Sequence, residues 1–407
     1  MGLTPINSGD TAWVLAATAL VLFMTLPGLA LFYAGLVRMK NVLSVMAHCV
    51  AIACLGSVLW LALGYSLAFD GHGAWIGGLS KALLLSVGRK AQVGSIPETA
   101  FFMFQATFAV ITPALIIGAY VERMRFAAVL AFSGVWLLLV YAPVTHWVWG
   151  GGWLAQRHVM DFAGGLVVHA TAGASALVAA VMVGPRDGFP RVQHPPHNPG
   201  MTMTGAGMLW VGWYGFNGGS ALAANGDAAM ALLVTHISAA TAGLVWAVLE
   251  RVRFGRSSMV GLVTGVVAGL ATITPASGFV GPVGGLILGA CGSAVCFLAV
   301  DLVKHRLKID DSLDVFAVHG VGGILGSLLV AVLASPAIGG VGYAPGVTMA
   351  GQAGVQVLGV VAVVAWSVVL TIAILWGVRR TIGLRAGDLQ IEDGLDVAEH
   401  GERAYPA

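Results

Sequence analysis

Eleven apolar runs of about 20 residues recur along this chain, and a helix of that length spans the roughly 30 Å hydrocarbon core of a bilayer. They cover residues 11–37, 43–69, 99–121, 126–148, 161–183, 200–220, 227–249, 258–274, 279–300, 314–334 and 352–378. Hydrocarbon offers the backbone no hydrogen-bond partners, so runs of this kind are restricted to helices. Charged residues make up only 9% of the chain, where a soluble domain carries roughly 25%. The expected fold is an all-α, multi-pass membrane protein whose surroundings are the lipid bilayer. A formal charge of +2 gives no ground for a nucleic-acid partner.

The placement of the basic residues sets the orientation. With the N-terminus outside, the outer loops hold Lys81, Arg89, Lys90 and Arg157, only four of the 20 Lys and Arg. The others, from Arg38 and Lys40 to Arg385 and Arg403, lie on the inner side. The positive-inside rule therefore predicts an N-out, C-in chain. No basic residue precedes Arg38, so a secretory signal at Met1 would lack its positive n-region, and the N-terminus is expected to be translocated.

Eleven crossings divide as five, five and one. Five is odd, so a second unit of five enters the membrane upside down relative to the first. That is the arrangement of an inverted repeat, whose site lies near the midplane. The repeats are expected over about 11–183 and 200–334, with an extra helix at about 352–378; residues 1–380 then form the transmembrane domain and 381–407 a cytoplasmic tail. Two stretches mark corresponding places. Asp161-Phe-Ala-Gly-Gly-Leu-Val-Val-His169 opens run five, and Asp311-Ser-Leu-Asp-Val-Phe-Ala-Val-His319 opens run ten. Eight helical residues rise about 12 Å. His169 then lies below the outer face and His319 above the inner one, within reach of each other in a core of about 30 Å. Asp161 and Asp311 also suit a helix N-terminus, where a carboxylate accepts backbone N–H groups. An ionisable side chain at mid-membrane is costly and marks a functional site by default; interhelical glue is the bland alternative.

Other residues collect at one mouth. Phe104 and Phe108 lie four apart on one face of run three, Trp149 ends run four, and Phe216 and Ser220 lie four apart near the outer end of run six. A phenylalanine in such a helix is ordinarily packing and a lone serine signifies little, so the convergence carries the weight. Cys49, Cys54, Cys291 and Cys296 all fall in apolar runs without zinc-ligand spacing and are expected to be small packing residues. His194 and His197 sit in a Pro- and Gly-rich inner loop and are expected to be solvated rather than metal-bound. Neither a metal nor a cofactor is expected.

The stretches Leu31-Phe-Tyr-Ala-Gly-Leu-Val-Arg, Trp149-Gly-Gly-Gly-Trp, the one from Asp161 to His169, Gly212-Trp-Tyr-Gly-Phe-Asn-Gly-Gly-Ser220, Val318-His-Gly320 and the tail Gly394-Leu-Asp with His400-Gly-Glu resemble the ammonium transporter (Amt/Mep/Rh) family, in its bacterial Amt branch. The resemblance runs from about Thr11 to the C-terminus. It implies a homotrimer in the cell inner (plasma) membrane, with one pore per subunit. It implies ammonium recruitment at Trp149, Ser220, Phe104 and Phe108, with methylammonium as an analogue. Below these it implies a gate of Phe108 on Phe216 and a twin-histidine pore of His169 and His319. Asp161 would order the mouth without touching the ion, and a PII-type signal protein would dock on the cytoplasmic face.

The physics is consistent with those roles. Desolvating a lone ammonium costs tens of kcal/mol in the Born limit. A tryptophan face contributes roughly 0.5–2 kcal/mol toward gathering the ion, and a serine hydroxyl adds an acceptor. Neither separates ammonium from potassium. An apolar pore does, because ammonium can leave a proton behind and pass as ammonia. Desolvation disfavours imidazolium, so both histidines are expected to be neutral and to share a proton between ring nitrogens. The chain is therefore expected to be a transporter and not an enzyme. An ammonium sensor signalling through its tail is the alternative from another class; sensors of the family carry an appended signalling domain, and about 29 residues follow run eleven here. A gas channel of the Rh type is a variant that the outer Trp149–Ser220 pair speaks against. An intramembrane metalloenzyme using Asp161, His169 and His319 would need an acidic base beside the histidines, and the sequence places none there.

Overall fold

The computed structural model describes residues 5–71, 73–192 and 194–406. Met1, where a secretory signal would begin, lies outside them. Among the described residues, the crossings are α1 Ser8–Leu36, α2 Met39–Phe69, α3 Glu98–Ala119, α4 Phe126–Val148 and α5 Gly165–Val183, then α6 over 199–218. They continue with α7 Gly226–Phe254, α8 Met259–Ala276, α9 Pro282–Arg306, α10 Phe316–Leu333 and α11 Met349–Thr381. All but α6 join length to strong apolarity. Helix α6 is diluted by glycines and threonines, and this lowers its hydropathy without shortening it. Two short helices, α12 Asp388–Asp393 and α13 Leu395–His400, form the tail.

Helix α3 is almost wholly buried and forms the centre of the bundle, whereas α11 is mostly outward-facing. The 33 residues of α11 extend about 50 Å, long enough to span a roughly 30 Å core at a tilt or to project beyond it. Helices α5 and α10, the last of each repeat, cross against one another at the molecule's middle. Their approach is backbone on backbone: a Cβ added at Gly173 would stand 2.2 Å from the Gly320 Cα. Only glycine fits there.

The loops sort to the two faces as the charge pattern predicts. At one end the Asn7 N–H donates to the Ser95 carbonyl at 2.8 Å, and the Ala224 N–H donates to the Asp10 carboxylate at 2.9 Å. At the other end the tail meets the basic loops. The Lys40 ammonium donates to the Glu392 carbonyl, and an Arg385 guanidinium N–H donates to the Pro185 carbonyl at 2.9 Å. The Ser44 and Leu395 N–H groups donate to Asp396 and Asn41, which seats α13 under α2.

An ion-pair network ties the two repeats together on this inner face. Arg123, after α3, pairs with Asp310, after α9, at 2.6 Å, and Arg186, after α5, holds the same carboxylate at 2.9 Å. Burial opposes ionisation of Asp310, but Arg186 and Arg123 outweigh it and hold the carboxyl below the usual carboxylate range. Breaking one member of a buried pair costs about 3–5 kcal/mol.

Two loop and packing expectations change. His197 is not simply solvated: its ring nitrogens lie 2.9 Å from the Val37 carbonyl and 3.1 Å from the Tyr405 hydroxyl, so it pins the loop to α1 and the tail. His194 lies 3.3 Å from the Asp187 carbonyl. Cys49 and Cys296 pack inside as expected, but Cys54 and Cys291 face outward from α2 and α9. In hydrocarbon both faces of a helix are apolar, so a small apolar residue does not reveal its side.

Candidate functional site

The site begins where α4 ends. Trp149 is its C-cap, and the indole N–H donates to the Asp161 carbonyl at 2.8 Å, which fixes the ring across the mouth. A cavity of about 370 Å³ opens here, lined by Trp149, Ser220, Phe162, Phe101 and Gln105 among others. The Ser220 hydroxyl donates to the Phe216 carbonyl at 2.8 Å. Its lone pairs therefore face the mouth as acceptors.

Beneath the mouth the aromatic rings close the path. Phe108 lies edge-on to Trp149 at 5.8 Å between centroids and packs on Phe216 at 4.3 Å. Both phenylalanines are fully buried. Phe104 is not among the mouth-lining side chains. It packs behind Phe108 at 5.0 Å and fills the space over Gly219.

The histidines come next. Phe216 stacks on His169 at 6.1 Å, and His169 lies between Trp213 at 5.5 Å and His319 at 5.2 Å, the histidine planes only 16° apart. Their Nδ1 atoms are 3.3 Å apart. One proton fits between them, so one ring carries its hydrogen on Nδ1 and the other on Nε2. His169 Nε2 is buried without a partner among the described residues. Beside the pair runs an apolar void of about 10 Å³, lined by Phe216, Val168, Leu209 and Ile111 with the two histidines, roughly the space of one water-sized sphere. Below it a vestibule of about 300 Å³, lined by Phe32, Val192, Lys304 and Asp314, leads to the inner face.

The two aspartates explain why the histidines can sit where they do. Asp161 accepts four backbone N–H groups, from Gly164, Gly165, Leu166 and Val167, at 2.6–3.0 Å. Asp311 accepts two, from Val315 and Phe316, at 3.1 and 2.7 Å. Residues 161–164 are not helical, so Asp161 caps α5 from outside instead of opening it. Each histidine then falls in a π-helical turn, Gly165–Ala170 or Phe316–Gly320. Such turns are wider than an α-turn and frequent at functional sites. The mouth thus offers a ring face and an acceptor, and the shaft below it is closed to bulk water and almost devoid of charge.

Spacing alone did not single out Phe101, Gln105, Phe162 or Trp213. Phe101 and Gln105 share the helical stripe of Phe108, a signal the sequence does hold. Phe162 follows Asp161 in a stretch without regular period.

Comparison with known proteins gives a consistent result. Residues 12–405 match the family model described as Ammonium Transporter Family. The chain is 43% identical to the ammonium transporter of Aquifex aeolicus over 405 residues, covering 98% of this chain and 94% of that one. Among solved structures it is similar to a "Sensor Amt Protein", with a TM-score of 0.90 at 29% identity, covering 96% of this chain and 98% of the other. It is also similar to Mep2 of Candida albicans, with a TM-score of 0.87 at 35% identity, covering 95% and 88%. The chain, with eleven crossings among its described residues and a pair of buried histidines, belongs to the ammonium transporter family.

Proposed function

We propose that this protein carries ammonium across a cell's plasma membrane by gathering the ion at Trp149 and Ser220 and passing ammonia through the His169–His319 shaft. The proton travels separately. The observation that carries this reading is the 3.3 Å Nδ1–Nδ1 contact below two packed phenylalanines. Ammonium gives up a proton at the mouth and becomes ammonia, which an apolar shaft accepts. A proton taken up at one Nε2 displaces the shared proton across the Nδ1 pair and releases another from the far Nε2. A potassium ion has no proton to shed and meets the full desolvation cost. Phe108 and Phe216 keep water out until the substrate parts them, and Asp161 and Asp311 hold the histidine turns in place.

Two partners belong to the same proposal. A homotrimer is supported by the outward face of α6 and α7. There exposed His236 accepts from or donates to the Tyr214 hydroxyl at 2.7 Å and lies over Trp210 at 5.3 Å. Such a polar pair on a membrane-facing surface calls for cover by another subunit. A PII-type signal protein is proposed to dock on the inner face, where the tail lies against the basic loops.

The second reading, an ammonium sensor, is favoured by the likeness to the "Sensor Amt Protein". Flux separates the two. Purified protein in liposomes on a supported membrane, given ammonium or methylammonium pulses, should show saturable uptake. Binding without any uptake, by current or by isotope, would leave the sensor. Uptake without current would point to gas conduction.

A further inference from the structure

The mouth holds one more polar side chain that none of the roles above uses. Apart from Trp149, whose N–H is committed to the Asp161 carbonyl, the polar side chains lining it among the described residues are Ser220 and Gln105. Gln105 stands on α3 four residues after Phe101 and three before Phe108, on the stripe that faces the mouth. The residue is only 7% exposed. Its Oε1 is buried and accepts no hydrogen bond among the described residues. A glutamine serving as interhelical glue would have found a partner on a neighbouring helix. A buried amide oxygen left unpaired is costly, and the group calls for an explanation.

We propose that Gln105 is a direct ligand of the recruited ion, its Oε1 accepting one N–H while the Ser220 hydroxyl accepts a second and the Trp149 ring covers the remainder. This deepens, and rests on, the reading of the mouth as the recruitment site. Ammonium carries four N–H donors in a tetrahedron, so a lone hydroxyl leaves most of its lost hydration unreplaced. Gln105 comes from α3 and Ser220 from the turn after α6, both line the cavity, and together they can meet two of the four donors. The terminal torsion of a glutamine is broad, so the amide turns toward the ion without backbone motion.

The test uses the full-length protein in liposomes, with ammonium and methylammonium concentration series for the parent, Gln105→Met and Gln105→Glu. Gln105→Met keeps the length and removes the acceptor. It is expected to raise KM for ammonium about tenfold, equivalent to about 1.4 kcal/mol, and by more than it lowers the maximal flux. Gln105→Glu keeps an acceptor and is expected to restore KM to within about threefold of the parent. Should Gln105→Met not assemble, Gln105→Asn, which withdraws the acceptor by one methylene, replaces it with the same expectation. A KM within twofold of the parent, or a lower maximal flux at unchanged KM, overturns the proposal and leaves Gln105 as packing. Trp149→Leu is measured in parallel. A parent that takes up no ammonium overturns the recruitment reading itself, whereas sensitivity to Trp149→Leu without sensitivity to Gln105→Met overturns only the role of Gln105.

Discussion

Gly173→Ala is a small change that should separate the two histidines. Gly173 lies one turn beyond His169 on α5, and Gly320 follows His319 directly before α10 continues. The new Cβ would stand 2.2 Å from the Gly320 Cα and 2.4 Å from its nitrogen, and both are backbone atoms that no rotamer change can move. Ordinary contact begins near 3.4 Å, so the two backbones must part by at least about 1.2 Å. The histidines ride on the same two turns. The same parting carries their 3.3 Å Nδ1 separation to about 4.5 Å, past the hydrogen-bond limit. Overpacking of this kind also costs about 1–3 kcal/mol of stability. Uptake by liposomes and thermal unfolding in detergent should both respond, with flux at least tenfold lower and Tm reduced. Parent-like flux at a parent-like Tm would refute the claim that this crossing sets the histidine contact.

Three further outcomes follow from the geometry. Trp149→Leu removes a cation–π face worth roughly 0.5–2 kcal/mol, so apparent ammonium affinity should fall while the assembly stays intact by size-exclusion chromatography; identical kinetics over a full concentration series would contradict it. Asp310→Asn leaves Arg123 buried beside a neutral group and should cost about 3–5 kcal/mol, read as a lower Tm. Because the folded Asp310 carboxyl is held below its usual range, its contribution is present above the unfolded value near 4 and is lost as pH falls through the lower folded one; a stability unchanged by the substitution between pH 5 and 8 would deny it. Deleting the residues after Arg385 removes α12 and α13, which cover the inner ends of α2 and α4, and pull-down of a PII-type protein should be lost. Full retention of binding would place that interface elsewhere.

Much of the architecture was legible because hydrocarbon leaves a chain so few choices. Run length, the 150-residue offset between Asp161 and Asp311 and the bias of basic loops are enough to give eleven helices in inverted repeats and the paired depth of His169 and His319. What spacing missed has a common cause. Inside a membrane the lipid face and the packed face are both apolar, so the amphipathic signal that orients a helix in water is absent. That is why Cys54 and Cys291 look like Cys49 and Cys296 in the sequence, and why spacing groups Phe104 with Phe108 although Phe104 packs behind it. The non-helical residues 161–164 and the π-turns at both histidines escape a 3.6-residue period altogether. Gln105 was visible as a polar residue in an apolar stripe, but only the cavity beside it gives that a meaning.

On the proposed mechanism, selectivity resides in the uncharged histidine shaft and not in the mouth. Potassium and ammonium flux through the parent and His169→Asp, measured in the same liposomes, separates the two locations. An aspartate at 169 installs an acceptor that can ionise, and its charge offsets that of a dehydrated cation. The parent should carry ammonium and exclude potassium, and His169→Asp should pass potassium or let potassium compete with ammonium. His169→Ala should slow the relay without admitting potassium. Potassium flux through the parent equal to that of His169→Asp would show that the histidine shaft does not set selectivity.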